Sequence, residues 1–364
     1  MPELIFSHFI QIDFATALQV VILGFIGGIL SGFIGSGGAF FMTPGMMNLG
    51  IPGVMAVGSN ITHKFGKALM GSKKHSEYGN VDKRLAVCMV TTSLVGIRLA
   101  VWINSTLFKI GGEGHGEGGG GAASDLYISG VFIFILTIVA ISMLRDALKS
   151  GNEGEGPSMK IVNFISRHNL PPYINFKVSD VRVSLWVVLI CGFATGYLAG
   201  TIGVGGFIGV PAMIYVFGVP TAVAAGSELY LAMFMGAWGA LDYAFQGFVD
   251  IRLTMLLYLG SLIGVYIGAY GVKVVKEVVI RIVTGAIILI CVGSRAVAVP
   301  MYLRRLGWIS FNPAWDTYFN QASKGLLFLA GISGMIIILY NVVKAYRQRR
   351  HIRTTLIGAG ALPE

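Results

Sequence analysis

Gly32-Phe33-Ile34-Gly35-Ser36-Gly37-Gly38 closes a long apolar run that begins near Ala15, and Gly200-Thr201-Ile202-Gly203-Val204-Gly205-Gly206 closes a second one. Each glycine weakens a helix by roughly 1 kcal/mol relative to alanine and admits backbone conformations that other residues avoid. Backbone that leaves the helix at membrane depth persists only inside protein or beside a water-filled cavity. Both stretches are therefore read as helix breaks that build one binding site between them.

Composition agrees with a membrane setting. Of 364 residues, 55% are hydrophobic and 12% charged, against roughly a quarter charged in soluble domains. Runs almost free of charge occupy 14–63, 126–144, 183–227, 229–241 and 325–343, the pattern of a polytopic membrane protein. The net charge of +10 comes from basic residues clustered between these runs. No nucleic-acid recognition module is visible, so no nucleic-acid partner is expected. Cys88, Cys191 and Cys291 stand singly inside apolar segments. They read as buried free thiols, with no disulfide framework, metal site or cofactor expected. No basic residue precedes the first apolar run, so a cleaved signal peptide is not expected.

Along the chain, 15–36 reads as a first span and 38–50 as a short apolar piece broken by Pro44 and Gly45. Gly50-Ile51-Pro52-Gly53 is a turn signal. A third segment, 54–72, carries His63, Lys64 and Lys67, and Lys73, Lys74, Lys83 and Arg84 follow in a basic loop. Spans at 85–108 and 126–144 flank a glycine loop around His115, Glu113 and Glu117, which reads as a solvated linker rather than a metal site. Residues 145–182 are polar and basic, and the patch Ile161, Val162, Phe164, Ile165 is a candidate for a membrane-surface contact. Trp308, Trp315 and Tyr318 mark an interfacial segment over 300–323, before a last span at 325–343 and a basic tail.

The second half repeats the first at an offset of 168. Gly24-Phe25 returns as Gly192-Phe193, Gly50 and Pro52 as Gly218 and Pro220, and Gly58-Ser59 as Gly226-Ser227. Gly79, Val81, Asp82, Arg84 and Leu85 return as Gly247, Val249, Asp250, Arg252 and Leu253. The last match lies in polar loops, where shared composition does not explain it. The expected fold is an all-α polytopic membrane protein with two homologous repeats, inverted, with Gly-broken helices and an extra C-terminal span. The parts are a first repeat over 15–148, a cytoplasmic connector over 149–182, a second repeat over 183–298, and a terminal part over 299–364. Paired Gly/Pro-interrupted segments in two halves are the best sequence pointer to a transporter's site.

The polar residues of the third segment share a face. Asn60, His63, Lys64, Lys67 and Lys74 are spaced by three, four and seven. A lysine at the centre of a span costs about 2.5–3.5 kcal/mol on insertion scales, so this stripe needs acids, water or an anionic ligand. Lys67 is expected to snorkel to the nearby basic interface; Lys64, deeper, is the candidate for an anion. The repeat counterpart of Asn60 is Glu228, the only acid between Asp180 and Asp242. It reads either as a proton-coupling carboxylate facing Lys64 or as half of a structural ion pair. Arg98, inside the fourth segment, reads as structural.

The blocks Gly24 to Gly38, Ala56 to Leu85, Gly192 to Pro211 and Ala224 to Leu253 resemble the TauE/SafE sulfite-exporter family, also called toluene-sulfonate uptake permeases. The doubled order of a Gly-x-Gly-Gly segment, a Gly-Ser helix start and a Gly-x-Val-Asp-x-Arg-Leu loop carries the resemblance over about 20–298. It implies a permease for sulfite, sulfonates or related sulfur-containing organic anions in the bacterial cell inner membrane. The 111–121 loop, the long connector, the C-terminal span and the basic Lys64 and Lys67 of the third segment depart from the common pattern. The substrate-binding candidates are Gly35, Ser36, Gly37, Gly38, Ser59, Asn60, Lys64, Gly203, Gly205, Gly206 and Ser227, with Glu228 and His63 for coupling. Partners are a small anion, the lipid bilayer and a second copy in a homodimer. An anion channel or structural subunit is the alternative; an intramembrane enzyme using His63 and Glu228 lacks a nucleophile or metal cluster.

Topology follows from the short pieces. If 38–50 and its repeat do not cross, there are nine spans and parallel repeats. If both act as crossings there are eleven, and the repeats invert. The positive-inside rule prefers the second, with the N-terminus outside, the C-terminus inside and the 104–125 loop outside.

Overall fold

The computed structural model describes residues 10, 12–34, 38–112, 121–149, 171–203, 205–275 and 277–358. These form helices α1 (Phe14–Ile34), α2 (Ala39–Asn48), α3 (Gly53–Glu77), α4 (Lys83–Gly112) and α5 (Ala122–Lys149). A hairpin follows, β1 (Tyr173–Phe176) and β2 (Val181–Ser184). Then come α6 (Leu185–Ile202), α7 (Gly206–Pro211), a π-turn (Ala212–Val216), α8 (Thr221–Phe245), α9 (Ile251–Val274), α10 (Glu277–Arg305) and α11 (Ala314–Gly358). The all-α polytopic expectation holds. Seven of the helices, α1, α4, α5, α6, α9, α10 and α11, are long and apolar enough to cross a membrane. α3 and α8, each 25 residues, are long enough to cross at 1.5 Å per residue but carry the polar residues of the interior.

Local chemistry sets the helix starts. Asp13 caps α1 through the Thr16 amide at 2.9 Å, and hydrogen bonding to Thr16 holds its carboxyl below the usual carboxylate value. Pro52 and Pro220 open α3 and α8. Asp82 and Asp250 open α4 and α9, accepting from the amides of Leu85 at 3.1 Å and Arg252 at 2.9 Å. The loop motif that returns at offset 168 is thus, in each half, the N-cap of a long helix.

The short piece 38–50 does not extend α1 but doubles back along it. In α2, Gly45 packs on Leu23 of α1, and Met42 packs against Gly27, so the two helices are antiparallel. α1 lies parallel to α9, and α4 parallel to α6, along glycine faces. A Cβ on Gly24 would stand 2.7 Å from Leu257 O, and one on Gly28 2.6 Å from Ser261 O. On the other side a Cβ on Gly192 would stand 2.6 Å from Met89 O, and one on Gly196 would run into the Ser93 backbone. These contacts correspond residue by residue at the offset of 168. Small residues let membrane helices approach this closely.

At the centre, α3 packs antiparallel on α8, with Gly236 against Phe65 and Gly71 against Leu229. The same offset governs the ends of this pair. Gly58 fits under the Phe248 carbonyl and Gly226 under that of Asn80. Ser59 Oγ accepts from Asp250 N at 3.2 Å, and Ser227 Oγ from Asp82 N at 2.8 Å.

Three features add to the sequence reading. The end of the connector forms a hairpin: β1 and β2 pair antiparallel, Tyr173 with Ser184. Their turn docks on Asp82, whose Oδ2 accepts from Ser179 N at 3.1 Å and Ser179 Oγ at 2.9 Å. The expected interfacial segment is mostly helical: α10 runs to Arg305 and α11 starts at Ala314, with Arg304 paired to Asp316 across the corner. α11 continues past its apolar part to Gly358. The glycine loop around His115 and the 161–165 patch lie outside the described residues.

Candidate functional site

The polar face of α3 meets the second glycine break. Asn60 Nδ2 donates to Thr43 Oγ1 at 2.8 Å and to Ala39 O at 3.4 Å, both on α2. Donation to a carbonyl fixes the amide orientation, and leaves Asn60 Oδ1 buried without a partner. Gly203 lies against this cluster. A Cβ there would stand 3.0 Å from Thr43 Oγ1 and 3.2 Å from Asn60 Nδ2. Its φ of 77° is left-handed, as the C-cap of α6, a conformation that favours glycine.

One turn further along α3, Lys64 Nζ lies 3.3 Å from Glu228 Oε1. The carboxylate is 2% exposed and the lysine 13%, so the pair is largely removed from solvent. Gly205 faces it: a Cβ would stand 3.2 Å from Lys64 Nζ. Gly205 has φ −67° and ψ −44°, which any residue adopts. Its requirement is therefore space beside the ammonium rather than an unusual backbone. Next along α7, a Cβ on Gly209 would stand 3.2 Å from both Glu228 Cγ and Thr195 Cγ2. Thr195 Oγ1 is buried with no partner. Gly203, Gly205 and Gly209 thus stand in turn against Asn60, Lys64 and Glu228. Phe40 of α2 and Phe207 of α7 meet edge to face, centroids 4.8 Å apart, so the starts of the two short helices touch.

The remaining candidates are placed as follows. Gly38, the N-cap of α2, presses on the carbonyl of Gly27. Gly206 is buried at the start of α7. Ser59 and Ser227 adjoin Asn60 and Glu228, but their hydroxyls hold the loops of Asp250 and Asp82. Gly35, Ser36 and Gly37 lie outside the described residues. His63 turns to α9, with Nε2 2.7 Å from Ser261 Oγ and its ring 4.6 Å from Tyr258. Lys67 does not snorkel as expected: Nζ donates to Ser31 Oγ on α1 at 3.2 Å. Arg98 pairs with Asp242. Among the described residues no cluster of three or more His, Cys, Asp or Glu could hold a metal ion.

Sequence reasoning missed Thr43, Thr195 and Tyr258. The Tyr258 hydroxyl accepts from Gly66 N at 3.1 Å and donates to Thr62 O at 3.3 Å. It stands inside the hydrogen-bond ladder of α3, an insertion that bends helices. Gly66 leaves room for it; glycine at that position was the one available signal.

A bundle of membrane-length helices around a desolvated ion pair at a broken helix defines a polytopic protein of the transporter class. The chain belongs to the sulfite exporter TauE/SafE family, whose model matches residues 20–295. It is 25% identical over 256 residues to "Probable membrane transporter protein YjnA" of Bacillus subtilis, covering 70% of this chain and 89% of that protein. It is 23% identical to "Probable membrane transporter protein YdhB" of the same organism over 271 residues, 72% of this chain and 94% of that one. The similarity to "Probable membrane transporter protein YunE" is 23% over 293 residues, 76% and 96% of the two chains. No solved structure matches the chain.

Proposed function

We propose that the protein is a secondary transporter that carries sulfite, an organosulfonate or a related small sulfur-containing anion across the bacterial inner membrane. The observation that carries this reading is the Lys64–Glu228 pair facing Gly205. A buried ion pair gives little net stability against apolar residues of similar size, and ionisable residues at membrane depth mark ion and substrate pathways. An anion that competes for Lys64 frees Glu228 to take a proton, which links anion movement to a proton gradient without a large buried net charge.

The two halves, 15–148 and 183–298, are read as inverted repeats joined by the connector 149–182. The contacts that correspond at offset 168 support this, as does the antiparallel run of α2 along α1. With α2 and α7 acting as crossings, the eleven-crossing arrangement places the C-terminus inside. The site then lies at the repeat interface, where discontinuous helices present it.

The test is uptake of labelled sulfite and of an alkanesulfonate into vesicles holding the purified protein, with and without an imposed pH gradient. Saturable flux of both anions is the expected result, with the sulfite flux responding to the gradient. Absence of flux for every sulfur oxyanion tried would remove the substrate class.

A further inference from the structure

The charged groups at the site do not balance. α3 supplies Lys64 and Lys67, three residues apart and therefore on one face. α8 supplies Glu228, which pairs with Lys64; its other acid, Asp242, pairs with Arg98. α1, α2, α6 and α7 contain no charged residue. The charged residues of α9, Arg252 and Lys273, belong to its first and last turns, and at the site it offers Tyr258 and Ser261, both hydrogen-bonded to α3. His63 is held by the Ser261 hydroxyl and is counted as neutral imidazole. Lys67 meets Ser31 Oγ, and among the described residues no carboxylate lies within 4.0 Å of its ammonium. Among the described residues, two ammonium groups on one face of α3 thus stand against one carboxylate, which Lys64 alone contacts.

Resting on the anion-transport reading, we propose that Lys67 is a second substrate cation, and that the site's single excess positive charge fits it to a monovalent oxyanion. A monoanion cancels the excess as it enters, with Glu228 still ionised. A dianion leaves the site one charge negative unless a proton from solvent adds to a carboxylate oxygen of Glu228 while Lys64 turns to the anion. One proton therefore accompanies each dianion and none accompanies a monoanion. Retention of an unpaired lysine inside a membrane helix is accounted for by the ligand's charge.

The test uses the full-length protein in lipid nanodiscs, with methanesulfonate as the monoanion and sulfate as the dianion. Titration calorimetry in two buffers of different ionisation enthalpy counts protons taken up. The expected counts are zero for methanesulfonate and one for sulfate. Sulfate affinity should fall about tenfold per pH unit wherever its binding takes up one proton, while methanesulfonate affinity stays level. Glu228→Gln should bind sulfate with no proton uptake. Lys67→Met should weaken both anions by at least about tenfold, and Lys67→Arg should retain them.

Equal proton counts for the two anions in the wild-type protein, or wild-type affinities in Lys67→Met, would overturn the charge count and leave the transport reading standing. If neither anion binds the wild-type protein, both fall together. The proton count needs no variant, so it decides the matter even if Lys67→Met fails to fold.

Discussion

The two short helices that follow the glycine breaks occupy corresponding places in the two halves and are built differently. All ten residues of α2 are buried. α11 closes over it, with Gly331 against Phe41. At its end, Asn48 bonds Ser294 at 3.3 Å and Ser323 at 3.0 Å, and the fully buried Arg295 reaches Ser323 at 3.1 Å and Tyr302 at 3.3 Å. The second short helix, α7, has six residues and passes into a π-turn at Pro211. Of those eleven residues, Phe207, Gly206, Gly209 and Met213 are buried. Tyr215 of the π-turn donates to Asp146 of α5 at 2.8 Å. π-turns inside helices frequently mark functional sites. The difference teaches that one broken helix serves as a braced wall, while the other carries the glycines that face Asn60, Lys64 and Glu228. Movement is expected in the second.

The largest effect should come from the ion pair beside the looser helix. Lys64→Met leaves Glu228 buried and unpaired, and should lower stability by about 3–5 kcal/mol, read as a fall in the unfolding temperature in detergent. Lys64→Met/Glu228→Gln should recover most of that loss. A single variant as stable as wild type would show that the pair is hydrated rather than desolvated.

Next in size are the glycines. Gly203→Val meets the left-handed backbone and the Asn60–Thr43 cluster together, and should reduce uptake on the order of a hundredfold. Gly205→Ala keeps its backbone and only displaces the Lys64 ammonium, so a loss nearer tenfold is expected. Identical losses would reduce both glycines to packing positions.

The smallest effects should separate wall from moving part. Asn48→Ala unpairs the braced cluster and should cost about 1–3 kcal/mol of stability with little change in uptake. Tyr215→Phe should cost about 1 kcal/mol or less yet alter uptake and raise hydrogen exchange in 206–216. The reverse pattern would assign movement to α2.

Much of this was legible in the sequence because it is local. The apolar runs, the Gly-x-Pro turns and the polar loops of Asp82 and Asp250 follow from neighbouring residues, and the offset of 168 follows from comparing the chain with itself. The i, i+3, i+4 stripe placed Asn60, His63 and Lys64 on one helix, and the lone acid Glu228 was the available partner for Lys64. What stayed hidden depends on long-range contacts. Tyr258 enters the α3 ladder from a helix almost two hundred positions away, and Thr195 becomes an unpaired hydroxyl only when α7 folds across it. The destination of Lys67 turned on Ser31, a small hydroxyl in an apolar run with nothing to distinguish it. The β1–β2 hairpin was hidden among charges and prolines because its anchor, Asp82, lies in another part of the chain.

The most direct measurement is the flux of labelled sulfite through vesicles containing Lys64→Met/Glu228→Gln. This variant removes both charges of the pair together, so Glu228 is not left as an unpaired ion, and its fold should match wild type by unfolding temperature. If the pair is the anion site, flux falls to that of empty vesicles and no longer responds to a pH gradient. Wild-type flux from the folded double variant would make Lys64 and Glu228 a structural pair, and would contradict the assignment of transport to this site.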